Sequence, residues 1–331
     1  MKRALTLIFL ATLIGCDSNS GAIAPGGQPP PPPPPGTGIT SANAGAISGS
    51  TWDAVSNSAA MVGLIGNSGL IASNPGGVNK AAQNIVAKAS IGDIVQGAPF
   101  ALPPLDCVIP GGTVTISGDI FDPITPTFTP DDFINVDYNN CDDDVGEVLD
   151  GLIEMTIVSF TGLLPLGPYD LTASLALTNF QVMTAADTIL TNGTATVSLN
   201  TLDPMNVSAS VAGLSMITDT NTYSETLTDF QTTQTVDTVT QTLPFTLDAS
   251  GTLNNSQLSG VIDYNTDPLL PFTGFGLDFP SSGVLFINGV GSSARLTAVD
   301  NVNVIIDIDN DGDGSYDEMI NTTWAAITTA P

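Results

Sequence analysis

From residue 107 to the C-terminus, apolar and polar residues alternate with period two in one short segment after another. The segments are TVTISGDI (113–120), FINVDYNN (133–140), LIEMTIVSF (152–160), LTASLALTNFQV (171–182), TATVSLNTL (194–202), FTLDASGTL (245–253), GVIDYN (260–265), GVLFINGV (283–290) and VNVIIDID (302–309). Successive side chains of an extended backbone leave on opposite sides, so each segment has one apolar face and one face of Thr, Ser, Asn and Asp. The expected fold is mainly β, a large antiparallel meander in the form of a curved sheet, a sandwich or a barrel, forms that periodicity does not separate. A glycine followed by alternating apolar residues recurs at 111, 150, 192, 259 and 282. The spacing is too irregular for a solenoid repeat. The pairs Asp150-Gly151 and Asn192-Gly193 read as hairpin turns, because a primed turn needs positive φ at its central residues.

Upstream the period changes. Trp52, Val55, Ala59, Val62 and Ile65 recur at three- and four-residue intervals, which predicts a short amphipathic helix from Ser50 to Ile65 behind a Ser50 or Thr51 cap. A second stripe, Ala81, Ala82, Ile85 and Val86, lies in VNKAAQNIVAKA (78–89), with Lys80 and Lys88 off it in water. One or two short helices are thus expected within 46–100, packed on a β-domain spanning 101–331. Residues 16–45 contain seven consecutive prolines, Pro29 to Pro35, between glycines. That composition buries no core and reads as a polyproline spacer, the proline run standing off by about 20 Å.

Charge narrows the class of partner. The chain has 33 acidic residues, five basic ones and no histidine, a net charge of −28. Such a surface repels nucleic acid and anionic lipid and collects cations. The simplest reading of the acidity is solubility in a salty or divalent-rich medium.

The segment MKRALTLIFLATLIGC, residues 1–16, has Lys2 and Arg3 ahead of an apolar run from Ala4 to Ile14. The run is too short to cross about 30 Å of hydrocarbon and fits an export signal over residues 1–15. Leu13-Ile14-Gly15-Cys16 resembles the lipobox of bacterial lipoproteins. The resemblance implies acylation of Cys16, palmitate among the possible chains, with cleavage before it and anchoring in the cell envelope, either in the outer membrane or on the periplasmic face of the inner membrane. Asp17 resembles the inner-membrane retention signal of enteric bacteria, a rule other groups do not share. Removal of the leader leaves three basic residues against 33 acidic ones, a net charge of −30.

With Cys16 lipidated, Cys107 and Cys141 remain, and an oxidising compartment favours their pairing. No C-x-x-C redox pair occurs, and two isolated thiols without histidine make a poor metal site.

The stretch DIDNDGDGSYDE, 307–318, matches the loop template D-x-[DN]-x-[DN]-G-x5-E at every fixed position. It resembles the calcium-binding loops of EF-hand proteins over those twelve residues. The resemblance implies Ca²⁺ ligation by Asp307, Asp309 and Asp311, a bend at Gly312, a backbone oxygen from Asp313, a water-mediated contact through Ser315 and bidentate closure by Glu318. The preceding residues alternate as a strand, with Val302, Val304 and Ile306 on one face, so the loop is expected to join two strands. Met319 to Trp324 should return to the sheet. A second acidic run, Asp142, Asp143, Asp144 and Glu147, matches no ligand template and reads as a charged turn.

No histidine-dependent nucleophile system, zinc helix or P-loop exists in the chain. The expectation is a non-catalytic envelope lipoprotein with a structural or interaction role, partnered with the membrane and with an envelope protein. The alternative is a periplasmic carrier, resembling lipid carriers in plan only, that encloses a lipid or other apolar ligand in a curved sheet.

Overall fold

The computed structural model describes residues 36–63, 99–107, 111–120, 128–142, 148–162, 168–184, 188–203, 205–239, 243–258, 260–275 and 279–328. The expected export signal, Cys16, the proline run, the helix expected at 78–89, and Asp143, Asp144 and Glu147 lie outside the described residues.

One antiparallel sheet dominates. Its strands are β1 (Phe100–Ala101), β2 (Leu105–Asp106), β3 (Thr113–Asp119), β4 (Phe133–Asp142), β5 (Val148–Gly162), β6 (Tyr169–Met183), β7 (Thr188–Asn200), β8 (Asn206–Asp219), β9 (Ser224–Asp237), β10 (Pro244–Asn255), β11 (Val261–Thr266), β12 (Phe272–Phe275), β13 (Gly283–Gly289), β14 (Ser292–Ala298), β15 (Asn303–Asp309) and β16 (Glu318–Thr323). The order is β1-β3-β4-β5-β6-β7-β8-β9-β10-β11-β13-β14-β15-β16, with β2 beside β3 and β12 beside β10. Nearly every strand pairs with its chain neighbour, as a meander requires. Among the described residues no ladder joins β16 to the β1–β3 end, so hydrogen bonding does not close the sheet.

Strands β8, β9, β12 and β14, and the two-residue β1 and β2, have no counterpart among the alternating segments. For β9 the inward side chains explain why. On β9 the inward series is Glu225, Leu227, Phe230, Thr232, Gln234 and Val236, half of it polar, and its phase changes midway. Alternation of apolar with polar residues is therefore hidden although the strand is regular.

The Asp150-Gly151 and Asn192-Gly193 pairs are not hairpin turns but sit inside β5 and β7. They belong to β-bulges. Register slips between Tyr138 and Cys141 on β4, Asp150 and Leu152 on β5, Leu177 and Phe180 on β6, and Thr194 and Thr196 on β7, so the irregularity steps from strand to strand across the sheet. Asn140 and Asn179 take positive φ at these slips, as do Gly151 and Gly193, and Asp229 does so at a further slip of β9 against Ser250 to Thr252 of β10. Asn and Asp tolerate that conformation better than other side chains, and a bulge adds a residue that bends the strand and raises its twist. A Cβ on Gly151 would overlap the carbonyl oxygen of Asn179, so the two bulges pack backbone to backbone.

The curved sheet wraps helix α1 (Ala44–Gly63), which packs on β7, β8, β9, β10 and β15 and on a short C-terminal helix, α2 (Trp324–Thr328). Contact with strands so far apart in the order requires the sheet to curl around the helix. Inward-facing Ile47, Trp52, Ala54 and Val55 are buried with Phe272, Trp324 and Ile327 in one hydrophobic core.

The helix begins at Ala44, six residues before the expected Ser50 cap. Asn43 Oδ1 accepts the Thr40 backbone N–H at 2.7 Å, closing the first turn, whereas Thr51 Oγ1 donates to the Ile47 carbonyl inside the helix. Small residues caused the error. Gly49 lies against the Ile327 carbonyl of α2, where a Cβ would overlap, so a composition that reads as linker is a close helix contact. Residues 36–39 are likewise built into the domain, not the spacer that was drawn to residue 45. The Thr37 carbonyl accepts the Val290 N–H at 3.0 Å, and the Ile39 N–H donates to Ser292 Oγ at 2.6 Å.

Cys107 and Cys141 lie at disulfide distance, their Cα atoms 5.4 Å apart. The bridge joins the segment after β2 to the last turn of pairing on β4, across β3. At the other end of the sheet, Met319 to Thr323 return to it as expected, but Trp324 leaves it to start α2.

Candidate metal centre

The acidic stretch is the connection between β15 and β16, as its flanking alternation predicts. Ile306 pairs with Ile320 and Ile308 with Glu318, after which the two strands part. The loop then folds on itself through short side-chain-to-backbone hydrogen bonds. Asp309 accepts the Gly312 N–H on Oδ1 at 2.7 Å and the Gly314 N–H on Oδ2 at 3.0 Å. Asp311 Oδ1 accepts the Asp313 N–H at 3.2 Å, and Asp313 Oδ1 the Ser315 N–H at 2.7 Å. Gly312 and Gly314 have φ of +72° and +88°, left-handed values that glycine adopts at no steric cost.

This folding gathers Asp309, Asp311 and Asp317. One carboxylate oxygen of each lies within 4.8 Å of the others. Asp309 is 2% exposed, whereas Asp311 and Asp317 face water. Burial pushes the Asp309 pKa up, but the N–H groups of Gly314, Gly312, Asp311 and Asp313 outweigh it, and the net direction is down. The carboxylate therefore stays charged at the loop's centre. The cluster offers hard carboxylate oxygens from three side chains, the chemistry Ca²⁺ takes, with Asp309 also facing backbone N–H groups of its own loop.

The side chains of the other expected ligands make these contacts. Asp307 faces Arg295 on β14, which donates to its Oδ2 from Nε at 3.1 Å and from Nη2 at 2.8 Å. Glu318 Oε1 accepts Asn310 Nδ2 at 2.8 Å. Asp313 and Ser315 are exposed and bonded to each other. Of the carboxylates expected to ligate, the structure thus brings Asp309 and Asp311 together, and it adds Asp317, which the loop template leaves out.

A signal for Asp317 was present. D-x-D-x-D-G also reads from Asp309, through Asp311 and Asp313 to Gly314, and then places Asp317 at the ninth position. That register ends on Ile320 where the template wants glutamate, which favoured the earlier one.

Comparison with known families, characterised proteins and solved structures gives no match to this chain.

Proposed function

We propose that this chain is a non-catalytic, membrane-anchored lipoprotein of the bacterial cell envelope, with a β-domain stabilised by calcium and a structural or interaction role. The observation that carries the metal part is the convergence of Asp309, Asp311 and Asp317 on a loop bent by two left-handed glycines. Three carboxylates at that separation repel unless a cation lies between them, and the flanking strands hold the loop ends in place. Bound Ca²⁺ supplies that charge. It is a staple, since the loop is flanked by strands β15 and β16 and not by the helix pair whose opening a regulatory EF-hand uses.

The lipobox at Leu13 to Cys16 supports the anchor. Among the described residues no helix is long and apolar enough to cross a membrane, so attachment in this reading rests on acylated Cys16. What favours a scaffold over the carrier is α1, whose Ile47, Trp52 and Val55 occupy the hollow face of β7–β10 that an apolar ligand would need.

Isothermal titration of the folded, leader-free protein with CaCl₂ tests the reading. One site with Kd of about 10⁻³ M or tighter is expected, enough for an exported protein in a calcium-rich medium. No heat beyond dilution at millimolar calcium would remove the metal centre.

A further inference from the structure

A group of polar side chains lies under α1, far in sequence from the acidic loop. Glu225 points inward from the start of β9 and is 2% exposed. In register across from it on β10 is Asn255, equally buried. The donor that reaches the Glu225 carboxyl among the described residues is Asn255 Nδ2, distant at 3.5 Å, while Asn255 Oδ1 accepts the Gln257 N–H at 2.9 Å. Tyr264 on β11 buries its hydroxyl with no hydrogen-bond partner. Gly251 on β10 makes room for it, since a Cβ there would stand 2.9 Å from that oxygen. Helix α1 packs on β9 and β10, and its single charged residue, Asp53, is near enough for its charge to act on Glu225.

A buried carboxylate needs a cation or several good donors, and among the described residues this one has neither. Among the described residues the sole Lys or Arg is Arg295, which is held by Asp307 and Tyr316. Nor does any other element packed here offer a counter-charge. The remaining carboxylates of β8, β9 and β10, namely Asp219, Asp229, Asp237 and Asp248, are exposed or half-exposed on the opposite face, and so is Asp263 of β11. Strand β7 and α2 carry no charged residue, and on β15 Asp309 is already bonded to its own loop. A proton supplies what is missing. It turns one oxygen of Glu225 or Asp53 into a donor and removes the like-charge repulsion between them.

We propose that buried Glu225, with Asp53 of α1 near it, is a proton-binding site between the sheet and α1 that latches the helix when protonated and loosens it when empty. The second attachment of α1 nearby, Ser58 Oγ to Thr232 Oγ1 at 2.6 Å, is neutral and does not titrate in this range. Burial raises the Glu225 pKa from 4.5 to about 7, against the donation from Asn255 and helped by the Asp53 charge. Burial likewise raises Asp53 from 3.8 to about 6, and burial and then the Glu225 charge push the Tyr264 phenol upward. Both acids thus bind protons more tightly folded than unfolded. Their contribution is fully present below about pH 4 and is lost as pH rises through about 6 and 7.

The test is hydrogen exchange of α1 amides in the full chain between pH 5 and 8.5, corrected for the intrinsic rate, with EDTA and with 1 mM CaCl₂. In wild type, α1 opening is expected to rise about tenfold or more across pH 6 to 8, with β13–β15 unchanged. Glu225→Gln should abolish most of that pH dependence. Asp53→Asn should reduce it, and decides the matter should Glu225→Gln fail to fold. Equal protection at both pH values, or a full pH response in Asp53→Asn and Glu225→Gln alike, overturns the latch. So does calcium restoring α1 protection at pH 8, since the pair would then hold a metal ion and not a proton.

Discussion

Arg295 donates twice to one oxygen of Asp307, at 3.1 and 2.8 Å, and its guanidinium lies 4.6 Å from the centre of the Tyr316 ring. One residue of β14 therefore clamps both ends of the acidic connection, the last stretch of β15 and the residue before Asp317. It also sets the charge of the loop, by neutralising the carboxylate that a full EF-hand match would have spent on the metal.

Arg295→Ala should show both effects with opposite signs. Loss of a half-exposed ion pair and one ring contact is expected to cost about 1 kcal/mol, or about 2 °C in melting temperature. Calcium affinity should rise a few-fold, because a positive charge beside the cluster is gone and Asp307 is freed. Calorimetry of the metal-free protein and a calcium titration read the two separately.

The two registers of the acidic loop differ in what they require. Asp317→Asn is expected to abolish the response to calcium, whereas Asp307→Asn should retain it at slightly lower stability. In wild type, calcium at ten times its Kd stabilises by about 1.4 kcal/mol, and EDTA should remove that increment, about 3 to 5 °C in a thermal melt. Retention of the response in Asp317→Asn and its loss in Asp307→Asn would restore the first register.

How much of this was legible follows from what each signal depends on. Strands such as β13, GVLFING, announce themselves because Leu285 and Ile287 go to the core and the turn residues are local. Strand β9 does not, because Glu225, Thr232 and Gln234 face inward and Asp229 shifts the phase at a bulge, both decided by partners elsewhere in the chain. The acidic loop was visible as chemistry but not as geometry. Which carboxylates converge depends on Arg295, twelve residues upstream of Asp307 on another strand, and no local template contains it.

The row of bulges is expected to be sensitive at its glycines and tolerant at its asparagines. Gly151→Ala puts a methyl group against the Asn179 carbonyl at φ +96°, and should cost about 2 to 3 kcal/mol in denaturant unfolding. Asn179→Gly keeps the positive φ that the bulge needs and should cost under about 1 kcal/mol. Equal costs would mean that the close approach at Gly151 relaxes freely.

Cys107 and Cys141 close a loop across β3, with a sequence separation of 34. Chain entropy for a loop of that size gives about 3 to 4 kcal/mol, and replacing both cysteines with alanine should lower the melting temperature by about 10 °C. The paired variant is the fair comparison, since a single one leaves a free thiol. A shift below about 2 °C would show that the β3 end is held by its ladders alone.

Trp324 tests whether the C-terminal turn belongs to the core or only caps it. The side chain is fully buried, stacked on Phe279 with ring centroids 5.4 Å apart, and 4.7 Å from Trp52 of α1. Its indole N–H donates to the carbonyls of Pro280 at 3.2 Å and Asp300 at 3.3 Å, so one residue ties α1, the segment before β13 and the β14–β15 turn. Trp324→Ala is expected to cost about 3 to 5 kcal/mol, most of it from the cavity left against Trp52 and Phe272. Trp324→Phe keeps a ring but no N–H, and should cost about 1 to 3 kcal/mol through the buried carbonyls it abandons. Near-UV circular dichroism adds the spatial information, because in the alanine variant Trp52 keeps only Phe272 as a ring neighbour, at 5.1 Å, whereas the phenylalanine variant gives it a second ring. If the alanine variant melts within about 1 °C of wild type, α1 is held by the sheet and the acid pair beneath it, with α2 a dispensable appendage.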